Sequence, residues 1–121
     1  MTHSHYDHFS GAGDVVNMCK ERGWHEPQIF KKVDGNVWEE RRMKSDLKGH
    51  MVNDLREGQN ITLTHRPEGA MEADWLKILP IETPGHLSDH LCFELIESIG
   101  GKQFKSIFSG DHIIGEASTY F

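Results

Sequence analysis

The residues best suited to chemistry stand at the start of the chain, where three histidines and an aspartate fall within six positions. In extended backbone, residues two apart point to the same side, so His3 and His5 can converge on one metal ion. A turn after Tyr6 would direct Asp7 and His8 toward a second ion beside the first. Neutral imidazoles with carboxylates suit zinc, or a similar borderline ion such as iron or manganese. The spacing therefore indicates a metal site.

Two later segments carry residues of the same kind. Residues 83–90 read Thr-Pro-Gly-His-Leu-Ser-Asp-His, and residues 108–112 read Phe-Ser-Gly-Asp-His. The candidate residues in these segments are His86, Asp89, His90, Asp111 and His112. A histidine-rich amino terminus can also be an expression tag or a loose copper- or nickel-binding tail. That alternative does not account for the later segments, which supply the ligands that a closed site would still lack.

Length and composition limit the class of protein. A chain of 121 residues is long enough for one domain with a modest core, and its aromatic and aliphatic residues recur throughout, which argues against disorder. The formal net charge of −6 argues against a broad basic face for nucleic acid, although metal ions would create a local positive field. Cys19 and Cys92 form no Cys-x-x-Cys pair, and we expect two buried free thiols in a reducing compartment.

The localisation is predicted from what the sequence does not contain. No apolar run approaches the ~20 residues that a membrane span requires. Histidines stand where a signal peptide would have its apolar stretch. The sequence therefore predicts a soluble, intracellular protein of the cytoplasm or the mitochondrion, with no membrane partner.

The first half must place the amino-terminal histidines, and its periodicity is mainly helical. A helix is predicted over residues 14–22 with Gly23 as its stop, and residues 28–32 resemble a short strand. Residues 34–56 are polar, with apolar side chains three to five positions apart, which predicts one or two amphipathic helices. The charge run at residues 39–42 is then expected on a solvent-facing surface with no role in a site.

Strand patterns dominate the second half. The predicted strands cover residues 60–64, 75–82, 91–96 and 104–108. A turn is predicted at residues 66–69, and Gly100 and Gly101 indicate a hairpin between the last two strands. If the last three strands are neighbours in one sheet, His86 and Asp111 come to the same rim. Helices in the first half and strands in the second predict an α/β fold class.

In its three motif segments the chain resembles the metallo-β-lactamase superfamily. Residues 2–8, 83–86 and 108–111 occur in family order with family-like spacing, and the match spans nearly the whole chain. Residues 86–90 and 109–116 are most similar to the β-lactamase-like protein 2 branch, whose members act as endoribonucleases. The resemblance implies a metal-dependent hydrolase.

The same resemblance implies that the chain is a fragment. Family domains are αββα sandwiches of roughly 200 residues or more, built from two similar halves. The strands that normally precede the first motif, the helices of the second half and a late Gly-His segment have no counterpart here. We therefore expect residues 1–121 to form a single, incomplete domain, a partial αββα sandwich truncated at both ends.

The resemblance also implies a ligand set. The implied ligands are His3, His5 and His86 for the first zinc and Asp7 and His8 for the second, with Asp111 bridging the two. Asp89, His90 and His112 are expected beside the ligands, in a positioning, substrate-facing or purely structural role. One or two zinc ions would bind, and the second lacks one family ligand unless His90 or His112 supplies it by rearrangement.

The implied reaction follows from charge. Two zinc ions with Asp7, Asp111 and a bridging hydroxide leave a net charge of about +1, which suits an anionic substrate such as a phosphodiester. The predicted role is cleavage of single-stranded RNA by a zinc-bound hydroxide that Asp7 orients. Two alternatives remain open, a glyoxalase II-like thioester hydrolase and a non-catalytic truncated remnant. The local motifs do not decide among them, because substrate choice in this superfamily comes from other parts of the fold.

Overall fold

A computed structural model gives the fold over residues 1–65, 68–69 and 73–115. The helices are α1 (Tyr6–Phe9), α2 (Ala12–Glu21), α3 (Val37–Asp46) and a 3-10 turn at Gly110–His112. The strands are β1 (Ile29–Lys31), β2 (Val52–Asp54), β3 (Ile61–His65), β4 (Asp74–Glu82), β5 (Leu91–Ile99) and β6 (Lys102–Phe108). Within the described residues, no helix is long and apolar enough to cross a membrane.

The larger sheet is antiparallel, with the strand order β3-β4-β5-β6. Glu82 at the end of β4 pairs with Leu91 at the start of β5, so residues 83–90 leave and re-enter the sheet at one edge. Phe93 pairs with Phe108, which brings the residues after β6 to that same edge. The prediction that these three strands are neighbours in one sheet is confirmed.

The smaller sheet contains β1 and β2, which pair in parallel with Ile29 opposite Val52. Strand β1 was predicted, but the prediction of helix throughout residues 34–56 is wrong for β2. Helix α3 ends at Asp46, and Lys48 and Gly49 follow with positive φ angles of 54° and 79°. After this turn the chain forms β2, which pairs with β1. A strand of three residues that is held by a distant segment has no strand pattern in its own sequence.

The hydrophobic core lies between the helices and the smaller sheet. Its buried members are Phe9, Val16, Ile29, Met43 and Leu47. Each such side chain contributes about 1.5–3 kcal/mol when it is fully buried. Helices α2 and α3 approach closely at Gly13, where an added Cβ would lie 3.0 Å from the backbone of Leu47. Because Phe9 follows the histidine segment directly, core packing also holds that segment in place.

The remaining predictions for the elements have mixed outcomes. The helix predicted over residues 14–22 is confirmed as α2, and the strand predicted over residues 60–64 is confirmed as β3. Of the turn predicted at residues 66–69, Glu68 and Gly69 form a turn, whereas Arg66 and Pro67 lie outside the described residues. The α/β fold class is confirmed.

Candidate metal centre

Three chain segments converge at one edge of the larger sheet. His3 and His5 come from the amino-terminal segment, and His5 is extended, with φ −69° and ψ 143°, immediately before α1. His86 lies in the loop between β4 and β5, and Asp111 lies in the 3-10 turn that follows β6. The predicted strand order placed His86 and Asp111 at one edge, and the family resemblance implied that His3 and His5 join them.

Four side chains present one possible ligand atom each, and all four atoms lie within 4.8 Å of one another. His5 Nδ1 lies 3.1 Å from His3 Nε2 and 2.9 Å from His86 Nε2. Asp111 Oδ2 lies 3.6 Å from His3 Nε2 and 3.5 Å from His86 Nε2. Ligands held at 2.0–2.1 Å on the corners of a tetrahedron would be about 3.3 Å apart. The residues present therefore fit a tetrahedral ion such as zinc.

A second group of polar atoms begins at the other oxygen of Asp111. Asp111 Oδ1 lies 3.0 Å from His8 Nε2, and Asp7 Oδ2 lies 3.6 Å from the same nitrogen. The Asp7 side chain is 79% exposed, so it stands at the open side of the centre. Asp111 thus turns one oxygen toward each group, which is the placement that a bridging carboxylate needs. Ligation by these residues stays a prediction.

The electrostatics of the centre favour neutral imidazoles. The pKa of His3 is lowered from 6.5 to about 4, mainly by burial and then by the neighbouring His8 and His90, while Asp111 opposes the shift. Burial, followed by His112 and His86, also lowers the pKa of His90. Since a metal ligand must be a neutral imidazole, the lowered pKa favours the form of His3 that can bind a metal at neutral pH.

The three residues predicted beside the ligands lie near the group of four and are not members of it. The buried ring of His90 stacks on His3 with centroids 5.0 Å apart, and its Nδ1 lies 2.8 Å from Thr83 Oγ1. The ring of His112 lies 5.7 Å from that of His90. Asp89 is buried and forms an ion pair with Lys31. Their roles at the centre stay predictions.

Two side chains of helix α3 form hydrogen bonds with Ser4 in the histidine segment. The buried Ser4 donates from Oγ to Glu39 Oε2 at 2.6 Å, and Arg42 donates to the backbone carbonyl of Ser4 at 2.7 Å. The charge run at residues 39–42 lies at the surface as predicted, and two of its members, Glu39 and Arg42, also contact the histidine segment at Ser4. Residues three apart share one face of a helix, and this face turns toward Ser4.

The sequence did not predict that Lys31 and Lys32 would be buried. Lysine is normally exposed, so nothing in the local sequence indicates that Lys31 would be buried in an ion pair with Asp89. The available signal was Asp89, an acidic residue beside predicted ligands that would need a cationic partner if it were buried.

Comparison with known proteins gives a family match and a set of fungal relatives. The model for the metallo-beta-lactamase superfamily matches residues 1–101. An atrochrysone carboxyl ACP thioesterase of Aspergillus fumigatus is 29% identical over 119 residues, covering 98% of this chain and 20% of that protein. The atrochrysone carboxyl ACP thioesterase AgnL7 of Paecilomyces divaricatus is 25% identical over 119 residues, covering 98% and 27%. The lactamase-like protein adaB of Aspergillus niger is 29% identical over 115 residues, covering 95% and 26%.

The chain thus spans only 20–27% of the length of these relatives. No solved structure matches the chain significantly. The names of the relatives are those of thioesterases and lactamase-like proteins, and they do not support the predicted β-lactamase-like protein 2 branch. That prediction rested on residues 86–90 and 109–116, of which Glu116 lies outside the described residues. Segments that surround metal ligands serve the metal chemistry, so they carry little information about the substrate.

Proposed function

The chain belongs to the metallo-beta-lactamase superfamily, and we propose that it forms the metal-binding part of a hydrolase that cleaves a thioester. Its helices and sheets agree with a partial fold of that family. The observation that carries the proposal is the convergence of four ligand atoms from three segments at tetrahedral spacing. The thioesterase names of two relatives favour a thioester over RNA as the substrate.

The proposed ligands follow from the geometry of the centre. His3, His5 and His86, together with one oxygen of Asp111, would hold the first zinc ion. A second ion would use His8, Asp7 and the other oxygen of Asp111. We propose that this second site is the weaker one, because it has fewer protein ligands than the family supplies. Residues 1–121 would then be one incomplete domain of a longer catalytic unit.

Four protein ligands would fill the first site, so the water would need the second site, where His8, Asp7 and the other oxygen of Asp111 leave a coordination position open. A zinc ion held there would supply a hydroxide near neutral pH and a Lewis acid for the substrate oxygen. The exposed Asp7 carboxylate can accept a hydrogen bond from the attacking water and orient it. The oxygen of that water adds to the thioester carbonyl carbon while Asp7 takes up its proton. The carbon–sulfur bond then breaks, and the proton passes to the departing thiolate. The products are a carboxylic acid and a thiol, so no oxidant or reductant is needed. The substrate partner would be a small acyl thioester or the acyl thioester of a carrier protein.

Hydrolysis of single-stranded RNA is the second candidate. It is favoured by the position of Asp111 between two groups of possible ligands, because a site with two zinc ions would retain a positive charge for a phosphodiester. It ranks second because the relatives have thioesterase names and because the chain carries a net charge of −6. A non-catalytic role remains the third candidate for this polypeptide.

The zinc-loaded chain should be tested with an acyl thioester of N-acetylcysteamine and with single-stranded RNA, with His86→Ala as the matched inactive variant. We expect thiol release above that of the variant and no RNA cleavage. RNA cleavage without thiol release would support the second candidate. No reaction with either substrate, together with a cooperative thermal melt and bound zinc, would support the non-catalytic role.

A further inference from the structure

The hydroxyl of Thr2 lies between two histidine rings of the centre. Thr2 Oγ1 is 3.1 Å from His3 Nδ1 and 3.3 Å from His8 Nδ1. The two rings lie 4.1 Å apart, centroid to centroid. One of them belongs to the proposed first site and the other to the proposed second site. A single oxygen atom therefore contacts both.

The orientation of the two rings fixes which nitrogens remain for a metal. His3 Nε2 faces Asp111 Oδ2 at 3.6 Å, and His8 Nε2 faces Asp111 Oδ1 at 3.0 Å. Each ring thus turns Nε2 toward Asp111 and Nδ1 toward Thr2. A neutral imidazole carries one proton, and a nitrogen that binds a metal cannot carry it. When His3 Nε2 binds the first ion, its proton must be on Nδ1, where the acceptor is Thr2 Oγ1.

The Thr2 side chain is held in a defined position. Its backbone carbonyl accepts a hydrogen bond from the Leu91 amide at 2.8 Å, at the start of β5. A Cβ at Gly110 would lie 2.9 Å from Thr2 Cβ and 3.0 Å from Thr2 Oγ1, so only glycine leaves room for Thr2 there. Threonine is also stiff about χ1 because it is β-branched. The hydroxyl oxygen is thus oriented before any ion binds.

We propose that Thr2 is a positioning residue, resting on the proposed metal-dependent function, whose hydroxyl fixes His3 as the Nδ1–H tautomer and links it to His8. With one ion bound, Thr2 Oγ1 accepts from His3 Nδ1–H and donates to His8 Nδ1, while His8 Nε2–H donates to Asp111 Oδ1. With two ions bound, both Nδ1 atoms carry protons, and the two lone pairs of the hydroxyl oxygen accept both. The residue thereby couples the two sites.

The test is nitrogen-15 NMR of the histidine rings in the full chain with one equivalent of zinc, combined with zinc titration against a competing chelator. We expect the Nδ1–H tautomer at His3 and the Nε2–H tautomer at His8. Thr2→Val should weaken binding of the first ion by roughly 10–100-fold, as the loss of a partner behind a metal ligand typically does. Thr2→Ser keeps the hydroxyl and should restore the affinity to within a few-fold of the wild type.

Four outcomes would overturn the inference. If the wild type binds zinc with His3 as the Nε2–H tautomer, both the role of Thr2 and the assignment of His3 Nε2 as the ligand atom are wrong, although the chain still binds zinc. The role of Thr2 is equally wrong if Thr2→Val binds zinc as tightly as the wild type. If the wild type binds no zinc at all, the proposed function fails together with the inference. Measurement of the His8 tautomer needs only the wild type: His8 as the Nδ1–H tautomer with one ion bound would contradict the donation from Thr2 Oγ1, even if Thr2→Val does not fold.

Discussion

Lys31 Nζ lies against Asp89 Oδ2 in an ion pair that solvent barely reaches, with 5% of the Lys31 side chain and 1% of the Asp89 side chain exposed. The same Nζ donates to the backbone carbonyl of Lys32 at 2.6 Å. Lys31 is the last residue of β1, and Asp89 belongs to the loop that carries His86. The pair therefore ties the loop of the proposed metal centre to the smaller sheet.

Replacement of Lys31 should destabilise the chain strongly. Lys31→Met leaves the Asp89 carboxylate buried without a counter-ion, and such a change typically costs about 3–5 kcal/mol of unfolding free energy. The double variant Lys31→Met/Asp89→Asn removes both charges and should recover most of that loss. Urea denaturation of the metal-free chain measures both values.

The matched control for this prediction is an exposed ion pair. Lys48 and Asp14 also form a pair, but their side chains are 51% and 63% exposed. Lys48→Met should therefore change the free energy of unfolding by no more than about 1 kcal/mol. If Lys31→Met also lowers the free energy of unfolding by no more than about 1 kcal/mol, the buried Lys31–Asp89 pair contributes no more to stability than a surface pair.

The sequence predicts the second half of the chain, which carries His86 and Asp111, better than the first half. Strands β4, β5 and β6 follow one another through short connections, and local alternation with the glycines at 100 and 101 was sufficient to predict their order. The pairing of β2 with β1 and the burial of Lys31 depend on contacts between distant segments. Residues 34–56 resemble a solvent-facing helix throughout, so no local pattern indicated β2, and lysine is normally exposed, so none indicated the burial of Lys31.

The substrate was the least predictable property. The motif around His86 and the one around Asp111 contain residues that hold a metal, and any hydrolase of this superfamily needs them. The preference for RNA came from the resemblance to the β-lactamase-like protein 2 branch and from the charge of an assumed two-zinc site, which an uncharged thioester also tolerates. The names of the relatives were needed to reverse the order of the two candidates.

His86→Ala should remove most of the tightly held zinc. Its Nε2 lies 2.9 Å from His5 Nδ1 and 3.5 Å from Asp111 Oδ2, so its loss removes one corner of the proposed tetrahedron. Elemental analysis after dialysis against a weak chelator measures the bound zinc. His25→Ala is the control, because His25 is exposed and lies outside the centre. Equal zinc content in both variants would contradict the proposed ligand set.

The stability of the metal-free chain should fall as the pH decreases from 6.5 to 4. Burial lowers the pKa of His3 from 6.5 to about 4, so between these values the unfolded chain binds a proton that the folded chain does not. The lowered pKa of His90 acts in the same direction. Thermal melts across this range measure the effect, and His3→Gln should flatten the profile. A melting temperature that is constant from pH 6.5 to 4.5 would contradict the prediction.

The chain should bind its first zinc ion much more tightly than its second. The first site offers three imidazole nitrogens and a carboxylate oxygen at tetrahedral spacing, whereas the second offers His8, the exposed Asp7 and the oxygen of Asp111 that faces His8. Titration with zinc under a competing chelator should therefore give two separate steps. Asp111→Asn should weaken both steps, because the carboxylate faces both groups, and Asp7→Asn should weaken only the second. Two equivalent high-affinity ions would show instead that a further residue completes the second site, for which His90 and His112 are the candidates.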